Sequence, residues 1–304
     1  MKPVLGIDTS NYTTSAATSL DGKIEQNLRI LLSVGEGERG LRQSDAVFQH
    51  TVNLPKVFFE LDKISPRAVG VSAAPRDVEG SYMPCFLSGI AAATAVSSTH
   101  GVPLYRFSHQ AGHIAAALYS CGREDLHHSS FIAFHVSGGT TELTLVENGK
   151  ITLLGGTKDI SCGKAIDRIG VLMGLNFPCG KELDDLSCDP SAVKTGKITV
   201  NGFDFNLSGL ENKAEKLLHD GAEKSYVADF VLSHITAVLI RLTENALSKY
   251  GDLPIIYAGG VMSNRYISKT LTERFGGFFA ESCYSCDNAA GIARLTEMKI
   301  MGEI

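Results

Sequence analysis

The chain has 304 residues, of which 44% are hydrophobic and 20% are charged. This composition excludes a disordered tail and leaves room for two ordinary domains or one large one. The formal net charge of −5 gives no global attraction to nucleic acid, and no run of Lys and Arg stands out. We also expect no membrane span and no targeting segment, and the seven cysteines favour free thiols in the cytoplasm.

Two segments share a pattern of apolar strand, polar turn and second strand. The first, residues 2–20, contains the turn DTSNYTTS, and the second, residues 131–150, contains SGGTT and ends in an Asn-Gly hairpin. They lie roughly half a chain apart, which indicates a duplicated α/β architecture with a cleft between the halves. We place one domain at 1–107 and a second at 108–304, with the C-terminal helix free to pack back on the first.

Further elements follow in chain order. Residues 84–99 predict a buried helix that Gly101 ends, and VPLYRF predicts a short strand leading into the helix that begins SHQAGHIAAA. Residues 162–175 and 226–249 carry apolar side chains at helical spacing, which predicts two more helices. LPIIY reads as a buried strand that runs into the turn AGGVMSN and then another helix.

His109 and His113 lie four residues apart at the start of a predicted helix. Side chains at i and i+4 share a face, so both imidazoles can reach one metal ion, although most such pairs are ordinary surface or core residues. The sequence offers no base for metal-dependent proteolysis here, because Gln110 stands where the HExxH pattern has its glutamate.

Cys283 and Cys286 form a lone CxxC, which is a weak zinc or redox signal.

Two glycine turns follow predicted strands and are able to hold parts of a nucleotide. The N–H groups and hydroxyls of SGGTT can wrap a phosphate, and the glycines of AGGVMSN admit a flat ring that Asn264 can hydrogen-bond. Each turn alone is more simply a tight connection.

Two carboxylates also stand out. Asp8 ends the first strand, where a carboxylate near a phosphate or its magnesium is expected, and Asp287 is most simply a helix cap.

Six blocks occur in one order along the chain: SHQAGH, HVSGGTTEL, CGKAIDRIGVLMGLNFPCGKELDDL, FNLSGL, AGGVMSNRYI and SCDNAAGIA. This set resembles the tRNA N6-adenosine threonylcarbamoyltransferase family, formerly called O-sialoglycoprotein endopeptidase. The resemblance implies the actin-like ATPase fold of sugar kinases and heat-shock proteins, with two duplicated α/β lobes and a nucleotide cleft. It also implies transfer of a threonylcarbamoyl group from threonylcarbamoyl-AMP to N6 of adenosine in tRNA.

The resemblance also assigns residues. It implies metal ligands at His109, His113 and Asp287, which makes Asp287 a ligand rather than a cap, and it leaves His135 an even choice as a fourth ligand. Two imidazoles and one carboxylate suit one divalent ion, iron or zinc. ATP or an adenylate is expected to contact these residues: His135, Val136, Ser137, Gly138, Gly139, Asp167, Gly180, Asp184 and Asn264. No catalytic base can be named.

The chain departs from the family's pattern mainly in the N-terminal lobe. DTSNYTTS has Asn11 and Thr13 in place of acids, SAAPRDVEGS replaces a glycine-proline stretch, and Lys164 stands where a glutamate is usual. We therefore predict a diverged paralogue and keep three functions open. They are tRNA threonylcarbamoyl transfer with partner proteins, nucleotide and metal binding in a regulatory or scaffolding role, and kinase or carbamoyl transfer to a small molecule. A dimer also stays open.

Overall fold

The computed structural model describes residues 2–10, 12–34 and 41–304, so the predicted change at Asn11 lies outside the described residues. The chain divides into two compact units, one formed by 1–128 and 283–304 and the other by 129–282. The expected boundary between 107 and 108 differs from this division, because the helix that carries His109 and His113 packs within the first unit. The C-terminal helix belongs to that unit too.

The described residues form twelve strands and nine α-helices. The strands are β1 (Val4–Asp8), β2 (Thr13–Leu20), β3 (Lys23–Leu31), β4 (Val69–Ala74), β5 (Leu104–Ser108), β6 (Ser130–Val136), β7 (Thr141–Glu147), β8 (Lys150–Gly156), β9 (Val200–Asn201), β10 (Asp204–Phe205), β11 (Ile255–Ala258) and β12 (Phe278–Phe279). The α-helices are α1 (Gln43–Glu60), α2 (Phe86–His100), α3 (His109–Ser120), α4 (Cys162–Leu172), α5 (Gly180–Leu186), α6 (Ser208–His219), α7 (Lys224–Tyr250), α8 (Arg265–Phe275) and α9 (Ala290–Met301).

Each unit contains a five-stranded mixed sheet, and the two sheets have the same topology. The orders are β3-β2-β1-β4-β5 and β8-β7-β6-β11-β12. In both, the first three strands are antiparallel neighbours and the last two continue in parallel from the central strand. The register also repeats, since Asp8 pairs with Ser15 and His135 pairs with Glu142 across turns of equal length. The predicted α/β duplication is confirmed by this repetition.

Local sequence signals fix several element ends. Gly101 ends α2 in the left-handed region with φ of 63°, as glycine does at helix C-termini. Asn148 and Gly149 have φ of 49° and 80°, the conformation that a two-residue hairpin between β7 and β8 requires. The predicted helices at 84–99 and 226–249 therefore correspond to α2 and α7, with ends shifted by one or two residues.

The helix α7 is the main core helix of the second unit. By length and composition alone it is apolar enough to cross a membrane, but 78% of its apolar 18-residue window is buried inside the protein. Val231, Ile235 and Leu239 on this helix are fully buried in the unit's largest apolar cluster. Burial on nearly all sides explains why the helix is so apolar.

In the first unit, α9 packs on β1, β2, β4 and α3. The contact with α3 is backbone to backbone, since a Cβ added to Gly291 would lie only 1.8 Å from the Gly112 carbonyl oxygen. No other residue type fits such a close approach without displacing a helix. The two glycines therefore bring the segment just before α9 beside the first turns of α3.

Candidate functional site

Three side chains of the first unit direct ligand atoms toward one point. His109 and His113 lie one turn apart on α3, and Asp287 lies three residues before α9. The Nε2 atoms of the two histidines are 2.9 Å apart. Asp287 Oδ1 lies 3.1 Å from His113 Nε2 and 3.4 Å from His109 Nε2. The structure thus brings together all three residues predicted as metal ligands.

These separations are the ones that ligands around a single metal ion adopt. Atoms bound at about 2.05 Å lie about 2.9 Å apart at a right angle and about 3.3 Å apart at the tetrahedral angle. Two imidazole nitrogens and a carboxylate oxygen suit iron or zinc. The residues therefore fit one divalent ion, and a set of three protein ligands leaves coordination positions for water or substrate.

Asp287 does not cap α9. The N-cap position is Ala289, without a side-chain cap, and Asn288 Oδ1 accepts a hydrogen bond from Ala290 N at 2.9 Å in the turn before the helix, so the capping alternative is wrong. Burial by itself raises the pKa of Asp287, but hydrogen bonds and charge from His109 and His113 outweigh burial and hold that pKa well below its usual range. The carboxylate is thus kept ionised and aimed at the imidazoles.

The start of α3 is fixed by a residue from the loop after β4. Ser108 caps the helix by accepting a hydrogen bond from Ala111 N at 3.1 Å, and its own hydroxyl donates to Asp77 Oδ2 at 2.7 Å. Asp77 lies in the segment that replaces the family's glycine-proline stretch. Its contact with Ser108 was not predicted, because only the folded loop brings these residues together.

Asp8 contacts His109 from β1. Its side chain is 2% exposed, and its Oδ2 accepts a hydrogen bond from His109 Nδ1 at 2.9 Å. Burial lowers the pKa of His109, but the charges and hydrogen bonds of Asp8 and Asp287 raise it to about 10. Asp8 was expected near a phosphate or magnesium, whereas the structure places it beside an imidazole.

The second unit contains the predicted SGG turn between β6 and β7. Ser137 N donates to Thr140 O at 2.7 Å, and Thr140 N donates to Ser137 Oγ at 3.1 Å. Gly138 and Gly139 are exposed, and a Cβ on either would meet no atom within 4 Å. A Cβ on Gly163 of α4 would lie 2.6 Å from Gly138 N. The turn is therefore seated on α4 and open on its other side.

The first N–H groups of α4 are already satisfied within the protein. Cys162 N donates to Thr141 Oγ1 at 2.9 Å, Gly163 N donates to Ser137 O at 3.2 Å, and Lys164 N donates to Ser161 Oγ at 3.3 Å. A cavity of about 280 Å³ beside the turn is lined by Gly139, Thr140, Thr141, Glu142, Thr157, Asp159, Ile160, Ser161 and Lys164. An anion at this position would have to be held by the turn and by side chains, not by the helix end.

Asp167 and Gly180 lie where α4 meets α5. Asp167 Oδ1 accepts a hydrogen bond from Cys179 N at 2.9 Å, which holds the start of α5 against α4. A Cβ on Gly180 would meet no atom within 4 Å, so the backbone is open to an approaching group. Burial raises the pKa of Asp167 even though the Cys179 hydrogen bond opposes the shift.

Asp184 and Asn264 bind each other. Asn264 Nδ2 donates to Asp184 Oδ1 at 2.8 Å, and Arg265 Nε donates to Asp184 Oδ2 at 2.8 Å. Asn264 Oδ1 accepts from Ile267 N at 3.0 Å and so caps α8. Both predicted nucleotide contacts thus have structural partners here, and the capping role was missed because Asn264 was considered only as a ligand contact.

His135 and Val136 close β6 just before the SGG turn. Val136 is fully buried, and Gly259 packs on its backbone, since a Cβ there would lie 2.2 Å from Val136 O. Gly259 belongs to the second predicted glycine turn, which therefore packs on the end of β6 just before the SGG turn. His135 is half-buried, and its assignment as a fourth metal ligand stays a prediction.

Sequence comparison matches most of the chain to one family. A profile described as tRNA N6-adenosine threonylcarbamoyltransferase covers residues 63–294. A protein of that name from Ligilactobacillus salivarius is 35% identical over 210 residues, which is 63% of this chain and 58% of that protein. Another from Geobacillus thermodenitrificans is 29% identical over 290 residues, which is 89% of this chain and 82% of that protein. The chain thus spans under two thirds of the length of the first relative.

Solved structures share the fold at low sequence identity. Full-length HypF in a phosphate- and nucleotide-bound form aligns with a TM-score of 0.62 and 13% identity, over 98% of this chain and 55% of HypF. A ROK family protein from Streptococcus pneumoniae in complex with sucrose aligns with a TM-score of 0.55 and 11% identity, over 99% of this chain and 100% of that protein. The actin-like ATPase fold that we predicted is therefore confirmed.

Proposed function

The chain belongs to the tRNA N6-adenosine threonylcarbamoyltransferase family, and on that basis we propose that it transfers a threonylcarbamoyl group from threonylcarbamoyl-AMP to N6 of adenosine in tRNA. The observation that carries the proposal is the convergence of His109 Nε2, His113 Nε2 and Asp287 Oδ1 within 3.4 Å of one another. These are the three positions at which the family resemblance implied metal ligands.

The first unit would hold the metal ion. When bound, a divalent iron or zinc ion supplies Lewis acidity and a template for the substrate carbonyl. His109 and His113 would each bind as a neutral imidazole through Nε2, and Asp287 would contribute the negative charge. The raised pKa of His109, about 10, means that this imidazole must release a proton when it becomes a ligand.

The second unit would hold the adenylate. Gly138 and Gly139 offer space for a phosphate beside the backbone of the turn, and Lys164 is among the residues that line the adjoining cavity. Asp167 and Gly180 lie at the neighbouring junction of α4 and α5. With a net charge of −5, the chain has little sequence-independent attraction to tRNA, so we propose that it works in the cytoplasm with a partner protein that helps to present the tRNA.

A transfer assay tests this proposal. The purified chain would be given threonylcarbamoyl-AMP and unmodified tRNA, with and without a cell extract depleted of its own transferase, and the tRNA would be digested to nucleosides for mass spectrometry. We expect threonylcarbamoyladenosine in the presence of the extract and little without it. The matched control is the His109→Ala, His113→Ala double variant, which should form none.

A second function is favoured by the contacts of Asp184. Because Asn264 and Arg265 occupy both of its carboxylate oxygens, the chain would use this residue to stabilise α5 and α8 rather than to contact a nucleotide. This supports a diverged paralogue that binds metal and adenylate in a regulatory or scaffolding role. Binding of both ligands without any product in either assay condition would favour this second function.

A further inference from the structure

The carboxylate of Asp8 is held from two sides. Oδ2 accepts a hydrogen bond from His109 Nδ1 at 2.9 Å, and Oδ1 accepts one from the backbone N of Ser10 at 2.7 Å. The side chain is 2% exposed, and it lies at the end of a fully buried strand. Water therefore has almost no access to the carboxylate, and its geometry is set by the protein.

The hydrogen bond from Nδ1 decides what the other nitrogen of His109 can do. An imidazole that carries its proton on Nδ1 presents a lone pair at Nε2, and the partner of Nδ1 also fixes the ring plane. Nε2 is the atom that lies 2.9 Å from His113 Nε2 and 3.4 Å from Asp287 Oδ1. Asp8 thus binds Nδ1 of His109, the ring nitrogen that does not lie at the point where the three ligand atoms converge.

We propose that Asp8 is a positioning residue that holds His109 in the tautomer and orientation needed to bind a metal ion through Nε2. This inference rests on the proposed metal site, but it assigns a role to a residue that is not itself a ligand. A carboxylate does this better than a neutral acceptor, because its negative charge raises the basicity of the imidazole as well as fixing it.

The amide variant Asp8→Asn separates this role from simple space filling. Asparagine has the same shape, but it can turn its NH₂ group toward His109, which would stabilise the tautomer with the proton on Nε2 and block the ligand position. The matched control is Ser10→Ala. It removes a buried hydroxyl that has no hydrogen-bond partner among the described residues, and it leaves the backbone N–H that binds Asp8.

The test measures zinc binding by the chelator-stripped protein in competition with a chromophoric chelator. We expect Asp8→Asn to bind zinc about 10- to 100-fold more weakly than the unchanged chain, and Ser10→Ala to bind it equally well. Equal affinity of Asp8→Asn and the unchanged chain would overturn the inference. If His109→Ala also bound zinc normally, the metal site itself would be wrong, so the two failures can be told apart.

A second measurement uses the unchanged chain and does not depend on how a variant folds. Nitrogen-15 NMR of the zinc-loaded protein reports which ring nitrogen of His109 carries the proton. We expect a protonated Nδ1 and a metal-bound Nε2. A zinc-bound His109 whose Nδ1 carries no proton would overturn the inference, since Asp8 would then have no hydrogen to accept.

Discussion

The turn after the first strand differs sharply between the two units, although it joins antiparallel strands in the same register in both. In the first unit, Thr9 and Ser10 are fully buried, and Thr9 Oγ1 donates to Cys85 O at 3.0 Å. In the second unit, Gly138 and Gly139 occupy the turn and are exposed. The first turn buries the side chains of Thr9 and Ser10, and the second leaves the backbone of Gly138 and Gly139 accessible.

The difference shows how two sheets of the same topology can present different functional groups at the corresponding turn. In the first unit the strand end contributes a buried carboxylate, Asp8, which bonds to His109. In the second unit the corresponding register position is His135, and the glycines that follow leave space instead of side chains. The strands specify where the turn lies, and the turn residues specify which chemical groups are available there.

The largest effect is expected from removing the histidines of the first unit. Protein purified without chelator should contain about one metal ion per chain, the His109→Ala, His113→Ala variant should contain none, and Asp287→Asn should retain it poorly because a neutral amide replaces a charged ligand. Elemental analysis measures this. Gly138→Val is the control from the other unit and should keep its metal. Equal metal content in all four proteins would contradict the assignment.

A glycine substitution tests the packing of α9 on α3 in the first unit, and a second one in the other unit serves as its control. Gly291→Ala places a Cβ 1.8 Å from the Gly112 carbonyl oxygen, so α9 must move away from α3, and we expect a loss of about 3 kcal/mol in the free energy of unfolding. The control is Gly209→Ala in α6, where a Cβ would meet no atom within 4 Å. That variant should be neutral or more stable by up to about 1 kcal/mol. Urea unfolding measures both changes in stability. Equal changes for the two variants would contradict the role that we give to the close contact between Gly291 and Gly112.

The open turn of the second unit should bind an adenine nucleotide. ATP or AMP at 100-fold above its dissociation constant should stabilise the folded protein by about 2.7 kcal/mol. Gly138→Val should abolish this stabilisation by filling the phosphate's space, while folding normally because a Cβ there has no close neighbour. Thermal unfolding with and without nucleotide measures both. If the variant still responds to nucleotide as the unchanged chain does, the ligand binds elsewhere.

The smallest effect concerns the pH dependence of the first unit. Burial lowers the pKa of His127 to about 4, with His128 and Arg294 adding to the shift. Well above pH 6.5, His127 is neutral in both the folded and the unfolded chain, so its lowered pKa does not reduce stability. As pH falls from 6.5 toward 4 the unfolded chain takes up a proton that the folded chain does not, so stability at pH 5 should be about 1–2 kcal/mol lower than at pH 7 from this residue. His127→Gln should lack that part of the loss in urea unfolding, and an unchanged pH profile would disprove it.

Much of the fold is readable from the sequence because its signals are local. The Asn-Gly hairpin, the glycine end of α2 and the apolar spacing of α7 each depend on a few neighbouring residues. The pairing of His109 with His113 is equally local, since both lie one helical turn apart. The family pattern then added Asp287, which spacing alone could not connect with a helix so far away along the chain.

The contacts that could not be predicted are of two kinds. Some join residues far apart in the sequence, and others depend on a choice between residues of similar chemical type. Asp287 and Asn288 are both good helix caps by residue type, and only the folded chain shows that neither is the N-cap of α9, which is Ala289. Asp8 meets His109 because β1 and the end of β5 lie in one sheet. Asn264 has an amide that suits a ligand and a cap equally, and the position of Asp184 decides between them.

The first unit is built from two stretches of chain, 1–128 and 283–304, with the whole of the second unit encoded between them. During synthesis on the ribosome, the second unit is therefore complete before the last stretch appears. A nascent chain carries both histidines long before it carries Asp287, so it has only part of the proposed ligand set. Metal would then be captured late in synthesis, after the second unit has had the chance to fold.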